Sequence, residues 1–339
     1  MNDYDKEYII RLANKEDITE IMTFIDEYWK KGHIMAQNRE FFEYEFLQSD
    51  GTVNFVLAFK KETMKLEGVL GFLYSSEKKE KRDVWGSIWK VREGNMPMLG
   101  VEILKKMEEL SGARYDIGIG ANPNTTIPIM KLYFKRVTDK MRQYYRLSHI
   151  KKDDFKIARI EEIPVVSSST KVAEVFRIET IEEFKKVISP VLFDMQIPYK
   201  DYNYIDKHYY KHPIYNYKVW GIKKDIVDAF FVTREQEFEG KIAMRIIDYV
   251  GNQDMFSCTS NFWEKILKLP QYEYVDFYSY GFSDTSMKEA GFTCIKGNDT
   301  NIIPNYFQPY ICKNIDIWIH TPYENVVIFK GDGDQDRPN

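Results

Sequence analysis

The sequence predicts an α+β fold in two successive domains, and three observations carry that reading. At 339 residues, 44 % hydrophobic and 15 % aromatic, the chain is long enough to bury two separate cores. Short β-forming apolar runs alternate with segments whose apolar residues recur at helical spacing. The order of those elements in the first half then returns, in weaker form, after Val172.

The first half opens with the strand IIRLAN and a helix from Lys15 to Trp29 carrying Ile18, Ile21, Met22, Phe24, Ile25 and Trp29. His33 falls in the loop before a second helix that carries Glu43 and Glu45. Asn54 to Lys60 and Glu67 to Ser75 flank the charged turn KKETMKL as a hairpin. Val84 to Val91 is a buried strand, Pro97 to Leu110 a helix stopped by Ser111-Gly112, and Arg114 to Gly120 the next strand. Asn122-Pro123-Asn124 starts the helix TTIPIMKLYFKRV, followed by the strand-like MRQYYRLSHI.

The run KKDDFKIARIEEIPVVSSSTKV is charged, then carries Pro164 and the small polar residues Ser167 to Thr170, the best boundary in the chain. It divides the sequence into domains 1–165 and 166–339, with Phe155, Ile157 and Ile160 predicting a strand that crosses between the halves. In the second half, FRIETIEEFKKVISPVLF reads as strand, turn and helix, and KVWGI with DAFFVTREQEF as a hairpin. KIAMRIIDYVG is a central strand, TSNFWEKILKL its helix and EYVDFYSYG the next strand.

Between the first central strand and its helix lies Arg92-Glu93-Gly94-Asn95-Met96-Pro97-Met98-Leu99-Gly100. Gly94 permits unusual backbone angles and Pro97 suits a first helical turn, so several unpaired amides point one way with the helix dipole behind them. Such a loop can hold an anion such as a pyrophosphate.

The segment from Tyr8 to Leu147 resembles the GNAT family of N-acetyltransferases. Its opening IIRLANKEDITEIMTFIDEYW looks like that family's first strand and helix, and Asn95 to Gly100 overlies the cofactor pattern Gln/Arg-x-x-Gly-x-Gly/Ala, keeping the last glycine while Met98 replaces the first. SMKEAGF in the second half matches the Gly-Phe that closes the family's last helix. The resemblance implies two tandem GNAT-like domains, each a mixed, mostly antiparallel sheet flanked by helices. It implies acetyl-CoA as acyl donor, bound in the first copy by Trp89, Lys90, Val91, Gly94, Asn95, Met96, Met98, Leu99, Gly100 and Asn124. The second copy, where VGNQDMFSCTSN sets Asp254 against a phosphate, would supply acceptor specificity.

The same resemblance offers Tyr133 as the acid for the leaving thiolate, although the register of LYFK leaves that alignment open; a helix aromatic packed on the sheet is the alternative. Asp248, an acid inside the apolar strand IIDYVG, is either paired structurally or used as a base or ammonium anchor. His33 and Glu45 fall where the family forms an acceptor groove. His212 and Tyr215 sit in the tyrosine-dense DYNYIDKHYYKHPIYNYKVWGI, which is either a sugar-stacking surface or a packing cluster. Segments of that kind, and tails like IPNYFQPY and DGDQDRPN, resemble tandem acetyltransferase-like proteins of bacterial surface-polysaccharide clusters, which implies an amino sugar or sugar nucleotide as acceptor.

With 48 basic and 52 acidic residues, a net charge of −4 offers no field for nucleic acid. No apolar run approaches a spanning helix, the polar N-terminus MNDYDKEY lacks a signal-peptide pattern, and the expected location is the cytoplasm. Cys258, Cys294 and Cys312 fit neither a disulfide framework nor a zinc cluster, and no metal is expected. The tail Asp332 to Arg337 mimics the start of a calcium loop without its later ligands and is expected to be solvated, or tied by Arg337 to neighbouring acids. The first functional expectation is direct acyl transfer from CoA to an amine, since no Cys or Ser stands in a nucleophile setting. The rivals are an aminoacyltransferase of the peptidoglycan-bridge type and a non-catalytic binding protein.

Overall fold

The computed structural model describes residues 3–166 and 169–338, so Ser167 and Ser168 of the expected boundary lie outside the described residues. The chain forms two compact units, Met1–Ile119 with Arg337–Asn339, and Gly120–Asp336. The two units adjoin in sequence between Ile119 and Gly120.

In the first unit, β1 (Tyr8–Asn14), β2 (Thr52–Lys60), β3 (Lys65–Tyr74), β4 (Val84–Val91) and β5 (Asp116–Ile119) lie in that order across a sheet. The pairs β1/β2, β2/β3 and β3/β4 are antiparallel, and β4/β5 is parallel. The apolar runs in β2 and β3 are nearly continuous because both faces of the sheet are covered. A Cβ at Gly68 would lie 2.6 Å from Ile103 of the helix Leu99–Ser111, whereas one at Gly71 would lie 2.7 Å from Phe55. The two glycines are three residues apart and so face opposite ways, and Phe55 in turn packs on Phe42 and Phe46 of the helix Arg39–Phe46. The helix Leu99–Ser111 ends at Gly112 with φ +61°, the left-handed stop that the sequence predicts.

The second unit holds β6 (Val137–Lys140), β7 (Arg142–Leu147), β8 (Glu174–Ile178), β9 (Lys218–Lys223), β10 (Val227–Phe238), β11 (Lys241–Gly251) and β12 (Tyr272–Tyr280). Short strands follow: β13 (Thr293–Cys294), β14 (Tyr306–Phe307), β15 (Tyr310–Ile311), β16 (Trp318–Thr321) and β17 (Ile328–Phe329). The main sheet runs β13-β7-β12-β11-β10-β9-β8. From β8 to β12 the pairs are antiparallel three times and then parallel, which repeats the sense and order of β1 to β5. The internal repeat seen in the sequence is thus a repeat of topology.

Two connections differ from expectation. MRQYYRLSHI forms β7, which pairs antiparallel with β12 and so belongs to the second sheet. The predicted crossing strand around Ile157 is irregular, because the buried Glu273 carboxylate accepts hydrogen bonds from the amides of Lys156, Ile157 and Ala158, taking the donors a strand ladder would use.

β11 and β12 pair only from Ile242/Tyr272 to Ile246/Phe277. Beyond that point the late segment of the chain enters: β17 pairs with β12 through Ser279/Phe329 and Tyr280/Ile328, and the Gly331 amide donates to the Ile247 carbonyl at 2.8 Å. Phe329 is fully buried, stacked on Phe277 at 5.5 Å and against Phe282 at 6.0 Å. Phe329→Ala should cost about 3–5 kcal/mol, read as a lower urea midpoint, with residues 328–336 becoming the first site of protease cleavage. An unchanged midpoint would mean that this segment only decorates the sheet.

Candidate functional site

In the first unit β4 and β5 pair only over Val84–Gly86 with Asp116–Gly118, so Ser87 to Val91 extend past β5. The β3/β4 register also shifts between Leu70/Trp89 and Phe72/Gly86, an extra residue on β4 that re-aims the strand where it leaves its neighbour. Divergence of two parallel strands opens a crevice at their carboxyl ends, and the loop Arg92 to Met98 leads from that end of β4 into the helix Leu99–Ser111.

The loop is held from below. Tyr8 hydroxyl donates to Asn95 Oδ1 at 3.2 Å and accepts from the Met96 amide at 3.4 Å, and Tyr4 donates to the Pro97 carbonyl at 2.6 Å. Asn95 Nδ2 donates to Glu67 at 3.0 Å, and Arg92 pairs with the same carboxylate at 3.3 Å. Met98 takes φ +65°, ψ 13°, the left-handed geometry for which glycine is suited, and it caps the helix with no side-chain hydrogen bond. So the glycine-type backbone survives the glycine's replacement, and the Met98 side chain is directed outward at 46 % exposure.

Within this turn the Leu99 amide donates to Met96 and the amides of Val101 and Glu102 to Met98; among the described residues the turn does not use the amides of Met98 and Gly100. Those amides stand in front of the dipole of a helix of 13 residues, an arrangement chemically suited to an anion. Gly100 packs on Trp89, where a Cβ would lie 3.2 Å from the indole nitrogen. Trp89, Lys90, Val91, Gly94, Asn95 and Met96 lie along the end of β4 and this loop, whereas Leu99 is a core residue at 1 % exposure with its amide taken.

The other predicted residues divide between the two units. Asn124 and the 51 %-exposed Tyr133 fall in the second unit. In the first unit, Glu45 is buried on its helix, and His33 caps the short helix Ile34–Gln37 by accepting from the Met35 amide at 3.2 Å. Burial, with help from Arg337, pushes His33 down to about 3, so its ring is neutral. Arg337 lies over the Trp29 ring and its Nε donates to His33 Nε2 at 3.2 Å.

Asp248 is fully buried in the second unit and structurally paired. Lys200 donates to it at 2.5 Å, Tyr209 hydroxyl donates to its other oxygen at 2.6 Å, and the same Lys200 reaches Asp332 at 2.6 Å. The tail is therefore buried and not solvated: Asp332 is inaccessible, and Asp336 takes a two-point pair from Arg234 at 2.8 and 2.9 Å with Tyr217 donating at 2.9 Å. His212 Nδ1 closes a turn by accepting from the amides of Ile214 and Tyr215, burial pushes it down to about 4, and its ring stacks on Tyr215 at 5.3 Å. Lys200 and Arg234 passed unnoticed in the sequence, although a charge at an inward strand position, as at Arg234, is the signal that singled out Asp248.

No family profile and no curated protein matches the sequence. Solved structures do match its architecture. A GCN5-related N-acetyltransferase from Anabaena variabilis ATCC 29413 superposes with TM-score 0.55 at 11 % identity, covering 92 % of this chain and 72 % of that one. A conserved Enterococcus faecalis V583 protein described as a probable N-acyltransferase superposes at 0.55 and 10 % identity, covering 93 % and 71 %. The chain has the GNAT fold. Within that fold the diverging parallel strands β4/β5 and β11/β12 are equivalent pairs, and they differ in that β17 and Gly331 fill the second divergence.

One ammonium shared by two carboxylates leaves an excess of negative charge, and burial together with Asp248 raises Asp332 to about 6 from 3.8, against the pull of Lys200. The folded state therefore binds a proton that the unfolded state releases. This contribution is fully present below pH 3.8 and is lost as pH rises through about 6. Between pH 4.5 and 7.5 the wild type should lose about 2 kcal/mol relative to Asp332→Asn in urea titrations. Parallel pH profiles for the two proteins would show that Asp332 stays ionised throughout.

Proposed function

We propose that the protein is an acyl-CoA-dependent N-acyltransferase whose donor binds in the first unit, with acetyl-CoA the donor of choice. The observation that supports it is the uncapped, left-handed turn at Met98 placed at the end of a diverging β4, with the Met98 and Gly100 amides unused in the turn. The pyrophosphate of a CoA ester suits that turn, with Arg92 and Asn95 beside it. The extra residue in β4 leaves strand amides near Ser87 to Trp89 out of register with β3, and such amides can polarise a thioester carbonyl. Attack by the amine is direct: the new amide C–N bond forms as the C–S bond breaks, and the proton that the amine gives up ends on the departing thiolate, so that free CoA leaves.

The acceptor in this reading is an amino group on a sugar or sugar nucleotide of bacterial surface-polysaccharide synthesis, made in the cytoplasm, and the second GNAT-like copy contributes acceptor recognition through the tyrosine-dense segment that holds His212 and Tyr215. Asp248 takes no part in proton transfer, because Lys200 and Tyr209 already occupy its oxygens.

Thermal-shift titration tests the donor site. Acetyl-CoA and free CoA should each raise Tm in a dose-dependent manner, about 2.7 kcal/mol of stabilisation being reached at 100 times Kd. Gly100→Trp, which drives a side chain into Trp89, should abolish that rise while the unliganded Tm stays within about 5 °C of the wild type. No shift with either ligand at millimolar concentration removes the donor site and leaves a non-catalytic binding protein; retention of charged transfer RNA on a filter would instead select aminoacyl transfer.

A further inference from the structure

The two faces of the second sheet are built from different chemistry. One carries Met244, Ile246, Phe277 and Trp263 in an apolar cluster. On the opposite face, at alternate positions of β11 and β12, stand Arg245, Asp276 and Tyr278, all at most 2 % exposed. The late segment adds Lys330 to this face, one residue beyond the core-facing Phe329.

The charges here do not balance. Arg234 is matched by Asp336, and Arg245 Nη2 by Asp276 at 2.6 Å. Lys330, 5 % exposed, has no carboxylate partner among the described residues; its ammonium donates to the Asn305 carbonyl at 3.2 Å and lies 5.6 and 5.8 Å from the ring centres of Tyr278 and Tyr306. Arg245 Nη1 donates to the same carbonyl at 2.7 Å, which brings the two cations to one peptide group. Burial and the neighbouring Arg245 lower Lys330 to about 7, the behaviour of a cation lacking its counter-charge.

Donors are also in surplus. Both polar atoms of the Asn305 side chain, 4 % exposed, and the Arg245 Nε–H have no hydrogen-bond partner among the described residues. Orphaned buried donors cost about 1–3 kcal/mol each, so their collection beside an unmatched ammonium is a place where the oxygens of a ligand would be stabilised. Asn305 Nδ2, Arg245 Nε and Lys330 Nζ supply donors for an oxyanion, and Asn305 Oδ1 requires a hydroxyl that donates to it. Half-buried Tyr306 offers aromatic surface for a sugar ring.

We infer that Lys330, Arg245 and Asn305 form a binding site in the second unit for a hydroxyl-bearing oxyanion, a sugar acid or sugar phosphate. This site stands apart from the donor loop and holds whether or not the chain transfers an acyl group.

The experiment is a thermal-shift and calorimetric titration of the full chain with glucuronate, glucose 6-phosphate, orthophosphate and glucose, each against sodium chloride at matched ionic strength. Binding of glucuronate or glucose 6-phosphate beyond the chloride control is expected, and whichever of the two prevails identifies the carboxylate or the phosphate. Lys330→Met replaces an unmatched buried cation by an apolar chain and should fold; it and Asn305→Ala should each weaken the sugar anion at least about tenfold while leaving the acetyl-CoA response unchanged. No binding beyond chloride, or binding undiminished in both variants, overturns the site; should Lys330→Met not fold, Asn305→Ala decides. Loss of the acetyl-CoA shift in the wild type would count against the donor loop alone.

Discussion

The ammonium of Lys200 lies, fully buried, between the carboxylates of Asp248 and Asp332, and the organisation of the second unit hangs on it. Asp248 comes from β11, Lys200 from the segment before the helix Tyr202–Ile205, and Asp332 from the late segment beyond β17. Taking these charges out of water is unfavourable for each alone, and only their mutual contact, with Tyr209 donating to Asp248, makes the burial tolerable. Because the carboxylates belong to different parts of the chain, the ammonium ties the late segment to β11. What would be an isolated charge in an apolar strand becomes the device that fixes where residues 328–336 go.

The same device separates the two halves chemically. Each contains a parallel pair that diverges, yet in the second half the divergence is filled from within by a strand, a glycine amide and a buried phenylalanine. In the first, the divergence leads to a turn that keeps left-handed geometry at Met98 although no glycine is there to relax it. A left-handed methionine is conformationally costly, and it stands at the start of a helix beside the two amides, of Met98 and Gly100, that the turn leaves unused.

Much of the framework was legible because it rests on local rules. The hairpin β2/β3 follows from two apolar runs around a charged turn, the helix Leu99–Ser111 from its spacing and Gly112, and the topological repeat from the recurrence of element order. What escaped depends on partners distant in sequence. Nothing near Arg142–Leu147 says that it will pair with β12, some 130 residues on, and nothing near Ile157 announces that Glu273 will claim its amides. The site divides the same way: the loop from Arg92 to Gly100 is contiguous and could be read, whereas Asp248 could be recognised as anomalous but its partner Lys200 lies 48 residues earlier. The tail was misread for a related reason, since a run of aspartates looks solvated until the cations that bury it are known.

The wedge formed by residues 328–336 also sets an order of events during synthesis. A nascent chain that has emerged through β12 already holds β8 to β11, with Lys200 and Asp248 in place, but the strand that completes the sheet lies some fifty residues further on. Until Phe329 and Asp332 arrive, the divergence between β11 and β12 lacks the strand that fills it and the Lys200–Asp248 pair lacks its third member. Contacts of such long sequence separation form late, so closing this sheet belongs to the last steps in the folding of the second unit.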